Sequence, residues 1–182
     1  IDIKKMMNIN SDELTFSDIM SLYNYFRVIF IPVMWGEKGD NGLSIYLPKN
    51  DVTFVYANLE KNIADFKYWL LHELSHAITP SLIGKDAEIF AERFAAIMLF
   101  PKEIAAHYYD EIIRIKNNGI AINKIKTIAS NMIISPYTIY NEINNYAVQE
   151  SLPELDFNIG GAMMNFNKQT GLVSKIIFEE EH

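Results

Sequence analysis

The residues best equipped for chemistry lie in Trp69-Leu70-Leu71-His72-Glu73-Leu74-Ser75-His76-Ala77-Ile78. His72 and His76 are spaced i, i+4. On a helix that spacing stacks two imidazoles on one face, one turn apart. Two such rings can share one zinc ion at about 2.0–2.1 Å. Glu73 is turned about 100° away from His72, so it is poorly placed as a ligand but within reach of a water on the same ion. A bound cation brings the pKa of water down to about 7, and a neighbouring carboxylate can take the proton and pass it to a leaving amine. The chemistry expected of this triplet is hydrolysis with Glu73 as general base. The plainer alternative is a histidine pair satisfied by hydrogen bonds in the core.

Two imidazoles do not complete a catalytic site, which takes three protein ligands and keeps one position open. Cysteine is absent, so the third ligand must be His, Asp or Glu. Glu88 and Glu92 follow in Asp86-Ala87-Glu88-Ile89-Phe90-Ala91-Glu92-Arg93-Phe94-Ala95-Ala96. They too are i, i+4 and share a face, and periodicity does not rank them. Whichever stays off the metal is expected to orient an imidazole from behind. His107, beside Tyr108 and Tyr109, is a further ligand or oxyanion candidate, although a surface or half-buried histidine is its default reading.

These side chains need rigid elements to position them. Asn62 opens a helix running to about Thr79, with Asp65 three residues in, and Pro80 stops it. A second helix is predicted over 86–100. Pro101 closes it and opens a third, which is expected to end at Asn117-Asn118-Gly119. Two shorter helices follow over 121–131 and 136–146, the latter capped by Ser135. Upstream, Ser17-Asp18 is expected to cap a short helix bearing Ile19, Leu22, Tyr23 and Phe26. Val28–Val33 reads as a buried strand, 36–42 as a loop, and 43–47 with 52–57 as a strand pair. After Pro153 the pattern changes. Residues 162–166 and 172–178 are expected to form a hairpin, followed by a solvated tail at Glu179–Glu181.

The chain has 182 residues, 49% apolar and 21% charged, enough to bury a core and too apolar for intrinsic disorder. Its longest apolar run, 28–35, falls well short of the roughly 20 residues of a membrane span. The lack of cysteine excludes a disulfide scaffold and fits a cytoplasmic setting. The net charge of −7 argues against a large nucleic-acid footprint. The 27 Ile and 17 Asn point to an AT-rich coding genome, bacterial or phage. The start at Ile1 rather than Met suits a trimmed terminus or a missing upstream domain.

At these residues the chain resembles the ImmA/IrrE family of zinc-dependent metallo-endopeptidases. That family pairs a His-Glu-x-x-His helix with a helix of Glu-x-x-Ala-x-x-Phe-Ala character ending in a Leu-Met-Pro-like motif. The corresponding residues are His72-Glu73-Leu74-Ser75-His76, and Glu88 through Phe94-Ala95 to Met98-Leu99-Phe100-Pro101. Val52–Asn58 resembles the strand that ends in Asn before the motif helix, and 125–143 resembles a small helical pair after the metal site. Ser75 stands where Gly is usual and Phe100 where Met is usual. The resemblance implies an α+β fold of zincin type, with a small, mainly antiparallel sheet packed on a helical bundle. It implies a peptidase domain over 1–150 that includes a helical pair at 121–146, with 151–182 as an extension. It implies zinc held by His72, His76 and Glu88, with Glu92 as the alternative ligand or the group that orients an imidazole from behind. The implied substrate is a helix-turn-helix repressor or antitoxin, in the setting of mobile elements or stress responses.

Two other function classes compete. One is a regulatory, protein-binding module that keeps the metal but does little or no proteolysis. The other is a DNA-binding regulator using Arg114, Lys116, Lys124 and Lys126 and the helices around Ser135; four like charges are more simply a solvated face. For a peptidase, the strand over 52–57 is expected to border the cleft and bind extended peptide by strand addition.

Overall fold

The computed structural model describes residues 13–174. It is an α+β fold with element order α1 (Phe16–Tyr25), β1 (Val28–Val33), β2 (Gly42–Leu47), β3 (Val52–Asn58), α2 (Ile63–Ile78), α3 (Gly84–Leu99), α4 (Lys102–Ile112), α5 (Asn118–Met132), α6 (Pro136–Gln149) and α7 (Gly160–Thr170). Among the described residues no helix is long and apolar enough to cross a membrane.

The sheet has three strands in the order β1-β3-β2. β2 pairs antiparallel with β3, as the short connection between them dictates. β1 pairs with β3 in parallel. The sheet is therefore mixed, not mainly antiparallel. The cause lies in the loop 34–41. It leaves β1 beside Asn58 and delivers Gly42 beside Ala57, so it arches over the end of β3 and places β2 on the far edge. Fully buried Asn58 pins this arch. Its Nδ2 donates to the carbonyls of Gly36 (2.9 Å) and Asp40 (3.1 Å), and its backbone N–H donates to Asn41 O (3.0 Å).

α2 runs through the middle of the core. Leu70, Leu71 and Leu74 are buried against Ile19, Leu22 and Tyr23 of α1, Val55 and Ala57 of β3, and Ala95 and Leu99 of α3. The Tyr23 hydroxyl donates to Leu70 O at 2.6 Å. A lysine enters this core. Lys67 is 1% exposed and donates to Leu14 O at 2.9 Å and to Met132 O, with the Glu13 carboxylate 3.6 Å away. It thereby ties the start of α1 and the end of α5 to the central helix. Burial pushes its pKa down, while Glu13 acts in the opposite sense.

Several helix limits differ from expectation for local reasons. α1 is capped by Thr15, whose hydroxyl and amide exchange hydrogen bonds with Asp18. α4 ends at Ile112, and Asn117 opens α5 by accepting from the Ile120 N–H at 3.1 Å. The Asn-Asn-Gly run therefore starts a helix instead of stopping one. Ile133 takes the left-handed conformation (φ +51°) in the short turn to α6, and Ser135 caps α6.

The largest departure is at 162–166, where α7 replaces the first strand of the expected hairpin. Ala162-Met163-Met164 are good helix formers, and Gly171, at φ +76°, ends the helix. Leu172 instead bridges antiparallel to Asn62. Residues 175–178, the rest of that expected strand, and Glu179–Glu181 lie outside the described residues. The end of α7 is knotted to the start of α2. The Asn62 side chain accepts from Ala64 N (2.9 Å) and from the Thr170 hydroxyl (3.0 Å) and donates to Asn167 O (2.7 Å), while Ile63 N donates to Gly171 O (3.1 Å).

Candidate metal centre

α2 presents His72 and His76 on one face, as the i, i+4 spacing requires. Pro80 and the turn after it reverse the chain, and α3 packs back along α2 with Glu88 one turn inside its start. The three side chains converge. His72 Nε2 lies 3.2 Å from His76 Nε2 and 3.3 Å from Glu88 Oε2, and His76 Nε2 lies 3.6 Å from Glu88 Oε1. One donor atom from each lies within 4.8 Å of the other two, a group that could hold a metal ion. A tetrahedral ion with bonds of about 2.0–2.1 Å would set its donors about 3.3 Å apart, close to the separation of the two imidazole nitrogens and of His72 Nε2 from Glu88 Oε2. Burial, then the neighbouring His76, pushes the His72 pKa down. That favours the neutral imidazole that metals bind.

Glu73 lies beside this triangle, 8% exposed, on the wall of the same cleft. Burial, reinforced by the Glu88 charge, pushes its carboxyl up from 4.5 to about 7. It is thus poised to exchange a proton near neutrality. Gly42, which no motif in the sequence singles out, makes room for it. A Cβ on Gly42 would sit 2.9 Å from Tyr56 O, 3.5 Å from Glu73 Cγ and 3.7 Å from Glu73 Cδ. The only sequence signal was a glycine closing a polar loop at the start of a strand.

The cleft has a volume of about 620 Å³ and is bordered by Gly42, Leu43, Ser44 and Tyr46 of β2, by Trp69, and by Pro80 and Leu82 beyond α2. β2 occupies the edge position expected of the 52–57 strand. β3 is the central strand, with both sides already paired, so it cannot accept a peptide. β2 has one partner among the described residues and leaves its other edge open.

The remaining candidates lie elsewhere. Glu92 faces a separate cleft, and no hydrogen bond joins it to His72; the His72 Nδ1 atom is buried without a partner among the described residues. The ring is held instead by Trp69 and Tyr68, at 5.1 and 6.5 Å between centroids. His107 sits on the exposed face of α4, with its Nε2 3.2 Å from Glu111 Oε1, outside the metal group. Lys124 is also committed to Glu111, at 2.7 Å.

Comparison with protein families, curated proteins and solved structures found no match. The functional reading therefore rests on the chain's own residues.

Proposed function

We propose that this protein is a zinc-dependent endopeptidase of the ImmA/IrrE type, acting in the cytoplasm on a helix-turn-helix repressor or antitoxin. The observation that carries the reading is the donor triangle of His72, His76 and Glu88 with buried Glu73 at its side, in a cleft bordered by an open sheet edge. Zinc held there supplies Lewis-acid polarisation of a carbonyl and makes water acidic near neutral pH.

The protein's own residues supply the rest. The β2 edge offers backbone donors and acceptors to an extended peptide, and its exposed Leu43, Ile45 and Leu47 offer apolar contact. Glu73, whose charged form a bound cation would favour, accepts a proton from the attacking water and returns it to the departing amine. Gly42 keeps the space in which that carboxyl sits.

The test combines metal analysis with cleavage of a co-encoded repressor or antitoxin. The expected result is about one zinc per chain and cleavage that Glu73→Gln abolishes while zinc is retained. Zinc binding with no cleavage of any such partner would favour the regulatory-module reading. Cleavage retained by Glu73→Gln would remove Glu73 from its role.

A further inference from the structure

A second cleft, of about 590 Å³, lies on the other side of Trp69 from the metal triangle. Its walls come from four helices: Tyr68 and Trp69 of α2, Ile89 and Glu92 of α3, Tyr137 of α6 and Met163 of α7. Trp69 lines both clefts, so a chain leaving the metal site across this ring enters the second cleft. Glu88 and Glu92 repeat the relation on α3: the first belongs to the metal triangle, and the second, one turn on, to the neighbouring cleft. One helical turn is about 5.4 Å, or roughly two residues of extended peptide.

The charges of the cleft are unbalanced. It holds Asp65, Glu92 and Glu142 against one cation, Arg93. Arg93 is committed to Glu142 at 2.7 Å, and Asn145 donates to the same carboxylate oxygen at 2.8 Å. Asp65 and Glu92 have no side-chain hydrogen bond or ion pair among the described residues; Asp65 is half-buried, which raises its pKa, and Glu92 is exposed. These two carboxylates, in one cleft with Tyr68, Trp69, Ile89 and Met163, match the chemistry of a lysine or arginine side chain. Its methylene stem packs on rings, and its charge meets carboxylate. The same charges repel a phosphate backbone. The N-terminal face of α6, which a helix-turn-helix would turn to DNA, is a wall of this acidic cleft.

We propose that the cleft is a subsite for a basic side chain of the bound polypeptide, about two residues from the bond at the metal. This inference rests on the endopeptidase reading for its substrate but is tested separately from it. Fluorescein-labelled nonapeptides, acetyl-(Ala-Ala-Arg)3-amide and its Glu counterpart, are titrated into the zinc-loaded Glu73→Gln protein at low salt and followed by anisotropy. The Arg peptide is expected to bind roughly tenfold or more tightly than the Glu peptide. Asp65→Asn and Glu92→Gln, each added to that protein, are expected to erase most of the difference while zinc content and thermal midpoint hold. Equal binding of the two peptides, or a preference that survives both substitutions, overturns the subsite. In parallel, wild-type cleavage sites in unfolded β-casein are mapped by mass spectrometry. Cuts with Lys or Arg about two residues away support the subsite, and cuts without that bias overturn it. Intact casein together with retained Arg-peptide preference would count against proteolysis and leave the basic subsite standing.

Discussion

Glu73→Gln, studied without metal, isolates what burial does to the proposed general base. In the folded protein the carboxyl titrates near 7 against 4.5 for an ordinary glutamate. Between those values the folded state holds a proton that the unfolded state has released, so folding stability falls as pH rises. The contribution is present in full below about 4.5 and lost by the time pH has passed 7. A shift from 4.5 to about 7 corresponds to roughly 3 kcal/mol. For a chain of this size that is on the order of 6–12 °C in Tm. Gln does not titrate, so the variant should lack this slope and exceed the wild type in stability at pH 8. The assay is urea unfolding of both proteins in EDTA at pH 5 and pH 8. Parallel pH dependences in the two proteins would refute the claim that the cleft holds this carboxyl protonated. Adding zinc should restore wild-type stability at pH 8, because a cation beside Glu73 favours its charged form.

Metal content should separate the two acids of α3: Glu88→Ala and His72→Ala lose zinc by elemental analysis, whereas Glu92→Ala keeps it, and the reverse order would reassign the third ligand. Gly42→Ala places a methyl against Tyr56 O and the Glu73 side chain, so it should cost about 1–3 kcal/mol in urea unfolding and slow hydrolysis while zinc is retained. Lys67 has a folded pKa below its unfolded one, so its unfavourable burial is felt in full at low pH and relieved as pH climbs toward 10.5. Wild-type stability should therefore gain an alkaline increment that Lys67→Met lacks, as measured by unfolding between pH 8 and 10.

The site was legible because its spacing is local. The i, i+4 interval of His72 and His76, the Asn62 cap and the stop at Pro80 are all properties of one helix, and α2 follows them. Glu88 required the resemblance, because a repeat of four residues puts Glu92 on the same face; the packing of α3 on α2 brings the first to the histidines and leaves the second in another cleft. What depended on distant partners was read less well. β3 and β2 have similar alternation, and nothing local says which is central; the Asn58-pinned arch decides it. Gly171 suits a hairpin turn and a helix end equally, since both accept positive φ, and the contacts of Asn62 with Asn167 and Thr170 select the helix. Asn117 was ambiguous in the same way, because a side chain that can finish one helix can also begin the next.

The knot at Asn62 couples two parts of the chain that carry no shared chemistry. Ten residues, about 15 Å of helix, separate it from His72. Prising α7 from its seat would strip the Ile63 amide of its Gly171 acceptor and free the Asn62 cap from Asn167 and Thr170, favouring fraying of that end toward the histidines. Cation retention would then report remotely on whether the carboxyl-terminal helix is docked, and trimming the chain before residue 160 would disarm the centre without altering one of its ligands.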